Sequence, residues 1–152
     1  ADIKNNDKNV SENITESSTT ETSSNNIESV NKDKQLNNNY FTQSRLDRDT
    51  MYSQTLETYK EMLNNSNVSE EQKAIITQEI ANVNKEKNAI MVCENLITTK
   101  GFSNCVIFVN TDSVSVVVED DNLKSEEIAQ IQNIISREMN AKVENIHIMT
   151  KK

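Results

Sequence analysis

The sequence predicts an α+β fold: an N-terminal helix, then an α-β-β-α-β two-layer domain with a three-stranded sheet, preceded by a disordered tail. Three observations predict it. Apolar residues recur at helical spacing in three segments. A valine-rich stretch, NTDSVSVVVED (110–120), alternates apolar and polar residues and follows a second apolar run, CVIFV (105–109). Before these, the first forty residues carry only scattered apolar side chains.

In residues 1–40, Ile3, Val10, Ile14, Ile27, Val30 and Leu36 stand singly among ten Asn and ten Ser or Thr. Such a segment buries too little apolar surface to offset the entropy of ordering it. It is expected to be a disordered tether. As a flexible coil its ends lie roughly 35 Å apart on average; fully extended it reaches on the order of 130 Å.

The pattern changes near Phe41. Tyr52, Leu56, Tyr59 and Leu63 recur at spacings of four, three and four, one stripe of an amphipathic helix. NNSNV (64–68) reads as a loop, so residues 41–68 make a helix and its connection. SEEQ (69–72) then opens a second helix. Ser69 can cap it, Glu70 and Glu71 suit the first turn, and Gln72 can complete a capping box. Its stripe is Ile76, Ile80, Val83, Ile90 and Ile97, with Lys87 at one stripe position. Two helices joined by a short loop should pack as an antiparallel hairpin.

Gly101, the only glycine in a chain without proline, follows Lys100. A glycine there is expected to end the second helix in a left-handed conformation. Around the turn NTDS, pairing Val109 with Val114 also pairs Ile107 with Val116 and Cys105 with Val118. That register gathers six apolar residues on a core face. Val106, Phe108, Ser115 and Val117 fall on the opposite face, which is more apolar than solvent alone requires. A third helix is expected in KSEEIAQIQNIISREMN, capped by Ser125, with Ile128, Ile131, Ile135 and Met139 buried. VENIHIM (143–149) is a third strand. The domain expected from residue 69 to 152 is thus three strands with two helices on one face.

Charge and chemistry narrow the function. The net charge of −8 is spread over the chain, −3 in residues 1–40 and −5 beyond, and no basic stripe appears. This argues against binding phosphate backbones or anionic lipid. There is no apolar run of transmembrane length and no signal-peptide pattern. The lone histidine, His147, lacks the partners of zinc or triad chemistry and reads as a surface or interface side chain. Cys93 and Cys105 fit either two small buried residues or a disulfide. The acidic run Glu119–Asp120–Asp121 lacks the oxygen spacing of a calcium loop. RLDRD (45–49) is most simply an exposed helix face, with a docking site second. No catalytic or metal residues are assigned and no cofactor is expected. The element order is similar to K-homology domains, which bind single-stranded nucleic acid. The GxxG loop of that family is missing and the chain is acidic, so that function is the alternative reading.

Four stretches carry a closer resemblance: RLDRDTMYSQTLE, NNSNVSEEQKA, LITTKGFSNCVIFVNTDSVSVVVEDDNLKSEEIAQIQNII and VENIHIM. In this order and spacing, from about Ser44 to Met149, they resemble the ectodomains of the stage III sporulation protein AH family of endospore-forming bacteria. The resemblance implies a non-enzymatic ectodomain with a ring-building motif, like those of secretion and flagellar basal-body rings. It implies an anchor, missing from this chain, in the outer forespore (mother-cell) membrane, with the ectodomain in the intermembrane space. The implied partner is the LytM-like ectodomain of stage II sporulation protein Q, and the implied assembly an intercellular channel or homo-oligomeric ring. The expected partner-facing surface is the less polar sheet face, Val106, Phe108, Val117 and His147, or a strand edge.

Overall fold

A computed structural model describes residues 25–152, with side chains from residue 35 onward. Residues 1–24 of the tail expected over residues 1–40 lie outside the described residues. The elements are α1 (Asn25–Asn64), α2 (Glu70–Thr99), β1 (Cys105–Val109), β2 (Val114–Glu119), α3 (Ser125–Met139), a 3-10 turn (Val143–Asn145) and β3 (Ile146–Lys151).

Helix α1 begins well before the start expected near Phe41, so the part of the tail from residue 25 to 40 is helical. Nothing in that segment stops a helix, since it has no glycine and no proline. Once the turn at Phe41 is held by packing, each further residue adds one backbone bond at little entropic cost. Residues 37–152 form one compact unit. The loop between α1 and α2 lies inside that unit.

Helix α2 starts as its sequence demands. The Ser69 hydroxyl accepts from the Gln72 N–H at 3.2 Å, and the Gln72 side chain accepts from the Ser69 N–H at 3.2 Å. It ends at Lys100 and Gly101, whose N–H groups reach back to Ile97 and Thr98 carbonyls. Gly101 has φ of +106°. A Cβ there would meet no neighbour within 4 Å, so the need for glycine comes from the backbone angle alone. The cap of α3 lies one residue earlier than expected. Lys124 replaces Ser125 in that position because Glu127 accepts the Lys124 N–H at 3.0 Å. Asn140, at φ 53° and ψ 41°, closes α3 in left-handed conformation.

The sheet runs β1-β2-β3, antiparallel between β1 and β2 and parallel between β2 and β3. The expected hairpin register is present: Cys105 opposite Val118, Ile107 opposite Val116, Val109 opposite Val114. Helices α2 and α3 cover one face. Ile90, Cys93 and Ile97 of α2 and Ile131, Ile134 and Ile135 of α3 are buried there, against Cys105, Ile107, Val114, Val116, Val118 and Ile146. Farther along the α1–α2 hairpin only Ile76 is buried among the described residues.

The opposite face is not the open surface its composition suggested. Phe41 of α1 is completely buried on Val106 and Val117, with Tyr40 and Phe108 packed around them. Val106 and Val117, expected to face a partner, are thus closed over by the chain's own helix. The sequence reading missed this because Phe41 stands alone, outside the stripe that marked α1. Phe108 keeps part of its surface and His147 is exposed.

Cys93 and Cys105 are free thiols in the core rather than a disulfide. Burial pushes the Cys93 thiol up to about 11 and Cys105 up to about 12, with Glu94 adding to both. The unfolded thiols ionise near 9.0, so between pH 9.0 and about 12 the unfolded state binds fewer protons than the folded one. The stability that neutral burial contributes is full below pH 9.0 and is lost as pH rises through that window. A Cys93→Ala/Cys105→Ala variant should therefore lose less stability between pH 8 and pH 11 than the parent in urea titrations; an identical decline would refute it. Gly101→Ala should cost about 1 kcal/mol by the same measurement, without disturbing the helix-hairpin contacts.

Candidate partner-binding interface

A three-stranded sheet has two edges, each with a row of backbone N–H and C=O groups that must find partners. The two edges here are treated differently. Along β1, side chains from the two long helices take the place of a fourth strand. The Arg45 guanidinium donates to the Cys105 carbonyl at 2.9 Å. Arg48 donates to the Ile107 carbonyl at 2.9 Å and to Glu94 at 2.8 Å. Glu94 in turn accepts the Ile107 N–H at 3.0 Å. Residues 105 and 107 direct their carbonyls to the same edge because the strand period is two. Arg45 and Arg48 lie one helical turn apart, so both reach that edge.

This corrects the reading of RLDRD as an exposed face. Arg48 is only 8% exposed, and Glu94 is 13% exposed. Burial opposes the charge on Arg48, but the hydrogen bond and charge of Glu94, with a further contribution from Asp49, outweigh it and raise its pKa. The sequence carried one signal of this cluster. Glu94 falls within the α2 stripe between Ile90 and Ile97, where a carboxylate needs a buried partner. One step farther along α1, Tyr52 donates its hydroxyl to Glu86 at 2.7 Å and packs on the main core. Burial and Glu86 push the Tyr52 pKa well up. Helix α1 therefore crosses the β1 edge, from Phe41 on the outer face to Tyr52 on the core side.

The edge of β3 is different. β3 ends the sheet, and among the described residues no side chain or backbone group bonds to its outer edge. Its outward-facing residues are His147, Met149 and Lys151, paired with Ser115, Val117 and Glu119. The Lys151 ammonium lies 4.6 Å from the centre of the Tyr40 ring, a cation–π contact at the end of the strand. Of the four expected partner residues, His147 lies on this strand and Phe108 shares its cross-strand row through Ser115. Val106 and Val117 belong to the interior. Among the described residues no group of three or more His, Cys, Asp or Glu is placed to hold a metal ion.

Removing Glu94 leaves Arg48 buried without its partner and the Ile107 N–H without an acceptor. Glu94→Ala should therefore destabilise the chain by about 3 kcal/mol in urea denaturation. Asp49→Asn, on the exposed side of the same arginine, should cost under about 1 kcal/mol. Equal losses would mean that the β1 edge is not held by this cluster.

The fold and the sequence both have known counterparts. A chain in the solved structure of the SpoIIQ-SpoIIIAH pore forming complex matches with a TM-score of 0.66 at 16% identity, over 74% of this chain and 96% of that one. At that identity the likeness concerns the fold. The crystal structure of the type III secretion system protein EscJ of enteropathogenic E. coli gives a TM-score of 0.43 at 19% identity, over 57% of this chain and 59% of that one, too low to equate the folds. No curated protein matches the chain. The family model described as SpoIIIAH-like protein matches residues 1–148, nearly the whole sequence. With the helix hairpin, the mixed three-stranded sheet and this match together, the chain belongs to the SpoIIIAH-like family.

Proposed function

We propose that the chain is a non-catalytic ectodomain of a sporulation complex, which pairs with the LytM-like ectodomain of a forespore membrane protein, stage II sporulation protein Q. The observation that carries this reading is the free edge of β3, in a sheet whose other edge the chain closes with its own side chains. An extended strand added there would complete the unpaired backbone groups, and the chain itself leaves them available. Family membership supports a role in a sporulation complex. The fold-level relative is described as part of a SpoIIQ-SpoIIIAH pore forming complex, which supports the choice of partner.

In this reading the ectodomain occupies the space between the two membranes around the forespore and belongs to the outer, mother-cell membrane. No helix among the described residues is long and apolar enough to cross a membrane, so none of them serves as the anchor. The α-β-β-α-β order supports assembly into a ring or channel, with His147 on the docking strand and the open part of Phe108 across the sheet on β1. The blocked β1 edge leaves one strand edge per subunit for pairing.

Two measurements test this. Size-exclusion chromatography with light scattering should show a larger species when the partner ectodomain is added. Hydrogen exchange should then slow at those β3 amides, within Ile146–Lys151, that point away from β2, with no matching change in β1. A complex that forms with β3 exchange unchanged would place docking elsewhere.

A further inference from the structure

Every second residue of β1 turns its backbone groups to the edge that α1 and α2 cover, so Cys105 and Ile107 are followed there by Val109. Arg45 serves the first of these, and Arg48 with Glu94 the second. At the third the pattern changes. Tyr52, one turn beyond Arg48, gives its hydroxyl to Glu86, and among the described residues no side chain bonds to the backbone of Val109. Glu86 is half-buried, yet a neutral hydroxyl on Oε2 is its one partner among the described residues. We propose that Glu86 and the Val109 carbonyl form a receptor for one arginine side chain of the partner ectodomain. This rests on the pairing with that ectodomain proposed above, but not on the β3 edge, and it names the chemistry of a second contact.

The same contact already exists inside the chain. The Arg48 guanidinium donates to Glu94 at 2.8 Å and to the Ile107 carbonyl at 2.9 Å. A guanidinium arriving at Glu86 meets the same two acceptors, the unengaged Oε1 and the Val109 carbonyl. Its planar fork serves both at once, which a lysine ammonium does less well.

The surroundings suit that side chain. Glu86 and Val109 line a hollow of about 320 Å³ together with Ala89, Val114, Glu138 and Met139. The apolar members match the methylene stem of an arginine and the carboxylates its head. Glu138 stands in the last turn of α3, where helix carbonyls already concentrate negative charge and a cation is favoured. Arg137 reaches Glu138 at 3.3 Å but is itself 68% exposed, so it compensates little. Lys85 also lines the hollow, but it is exposed and pairs with neither carboxylate among the described residues. Other hollows select no such guest. The one at Met62, Val68, Ile75 and Ile76 has no carboxylate, and beside Arg45 both Asp49 and Glu94 are taken by Arg48. Val109, Val114 and Ile146 form one cross-strand row, so the receptor lies about 10 Å from the start of the β3 edge, within reach of the same partner.

The test is calorimetric titration of the full 152-residue chain with the partner ectodomain at low and high salt, with exchange of the β3 amides followed in parallel. Glu86→Gln keeps an acceptor for the Tyr52 hydroxyl and removes only the charge. Its urea stability should match the parent, while its binding weakens about tenfold or more and depends less on salt. Glu71→Gln, at an exposed carboxylate in the first turn of the same helix, should bind as the parent does. Partner treated with butanedione, which blocks arginine and spares lysine, should bind the parent and Glu86→Gln alike; a persisting difference would overturn arginine as the guest. Glu86→Gln binding like the parent, with the β3 amides protected in the complex, would overturn the receptor and leave the pairing reading intact. Equal losses in both glutamine variants would reduce the effect to net charge and overturn the receptor too. Failure of the parent to bind would overturn the pairing reading and the receptor with it. Unprotected β3 amides with the Glu86→Gln loss intact would overturn the edge as the docking strand and uphold the receptor.

Discussion

Three backbone groups on one side of β1, the Cys105 carbonyl and the carbonyl and N–H of Ile107, constrain much of this structure. A sheet edge inside a domain cannot remain unpaired, and no fourth strand supplies the missing bonds. Arg45, Arg48 and Glu94 supply them. To deliver two arginines to one strand edge, helix α1 has to run beside that edge. That path places Phe41 over Val106 and Val117 at one end and Tyr52 against the main core at the other. The closure of the outer face and the docking of the hairpin thus follow from the same backbone requirement.

The cluster is ionic, and its cost explains its form. Burying a guanidinium or a carboxylate alone would be prohibitive, and an exposed pair would hold nothing in place. Here Glu94 serves two donors at once, the Arg48 guanidinium and the Ile107 N–H, while Arg48 serves the Ile107 carbonyl on its other side. An apolar replacement of equal volume would leave both groups of Ile107 unpaired. The pair is better understood as fixing the register between α1, α2 and β1 than as adding net stability.

Closing one edge gives the sheet a direction. β1 has no free backbone groups at residue 107, whereas β3 keeps its outer row open. A subunit with one open edge can add one strand and no more by this route. Ring contacts between copies would have to use other surfaces, helix against sheet or helix against helix. Blocking an edge in this way also prevents indiscriminate strand-to-strand association in a chain with few apolar residues to spare.

The features that were legible in the sequence are those set by local periodicity. Ser69 and Gln72 mark a helix start because the capping box is made within four residues. Gly101 marks its end because only glycine tolerates that φ. The alternation of Val114, Val116 and Val118 sets the hairpin register because a slip of one residue would expose the whole core face. These interactions span few residues, so their requirements appear as spacings. The fate of the second sheet face did not appear in that way. Whether Val106 and Val117 meet a partner or the chain itself was decided by Phe41, more than sixty residues away and outside any stripe. The roles of Arg45 and Arg48 were likewise decided by carbonyls about sixty residues distant. A local pattern records what a residue must bury or expose; which distant group satisfies it is settled only when the helices pack across the sheet.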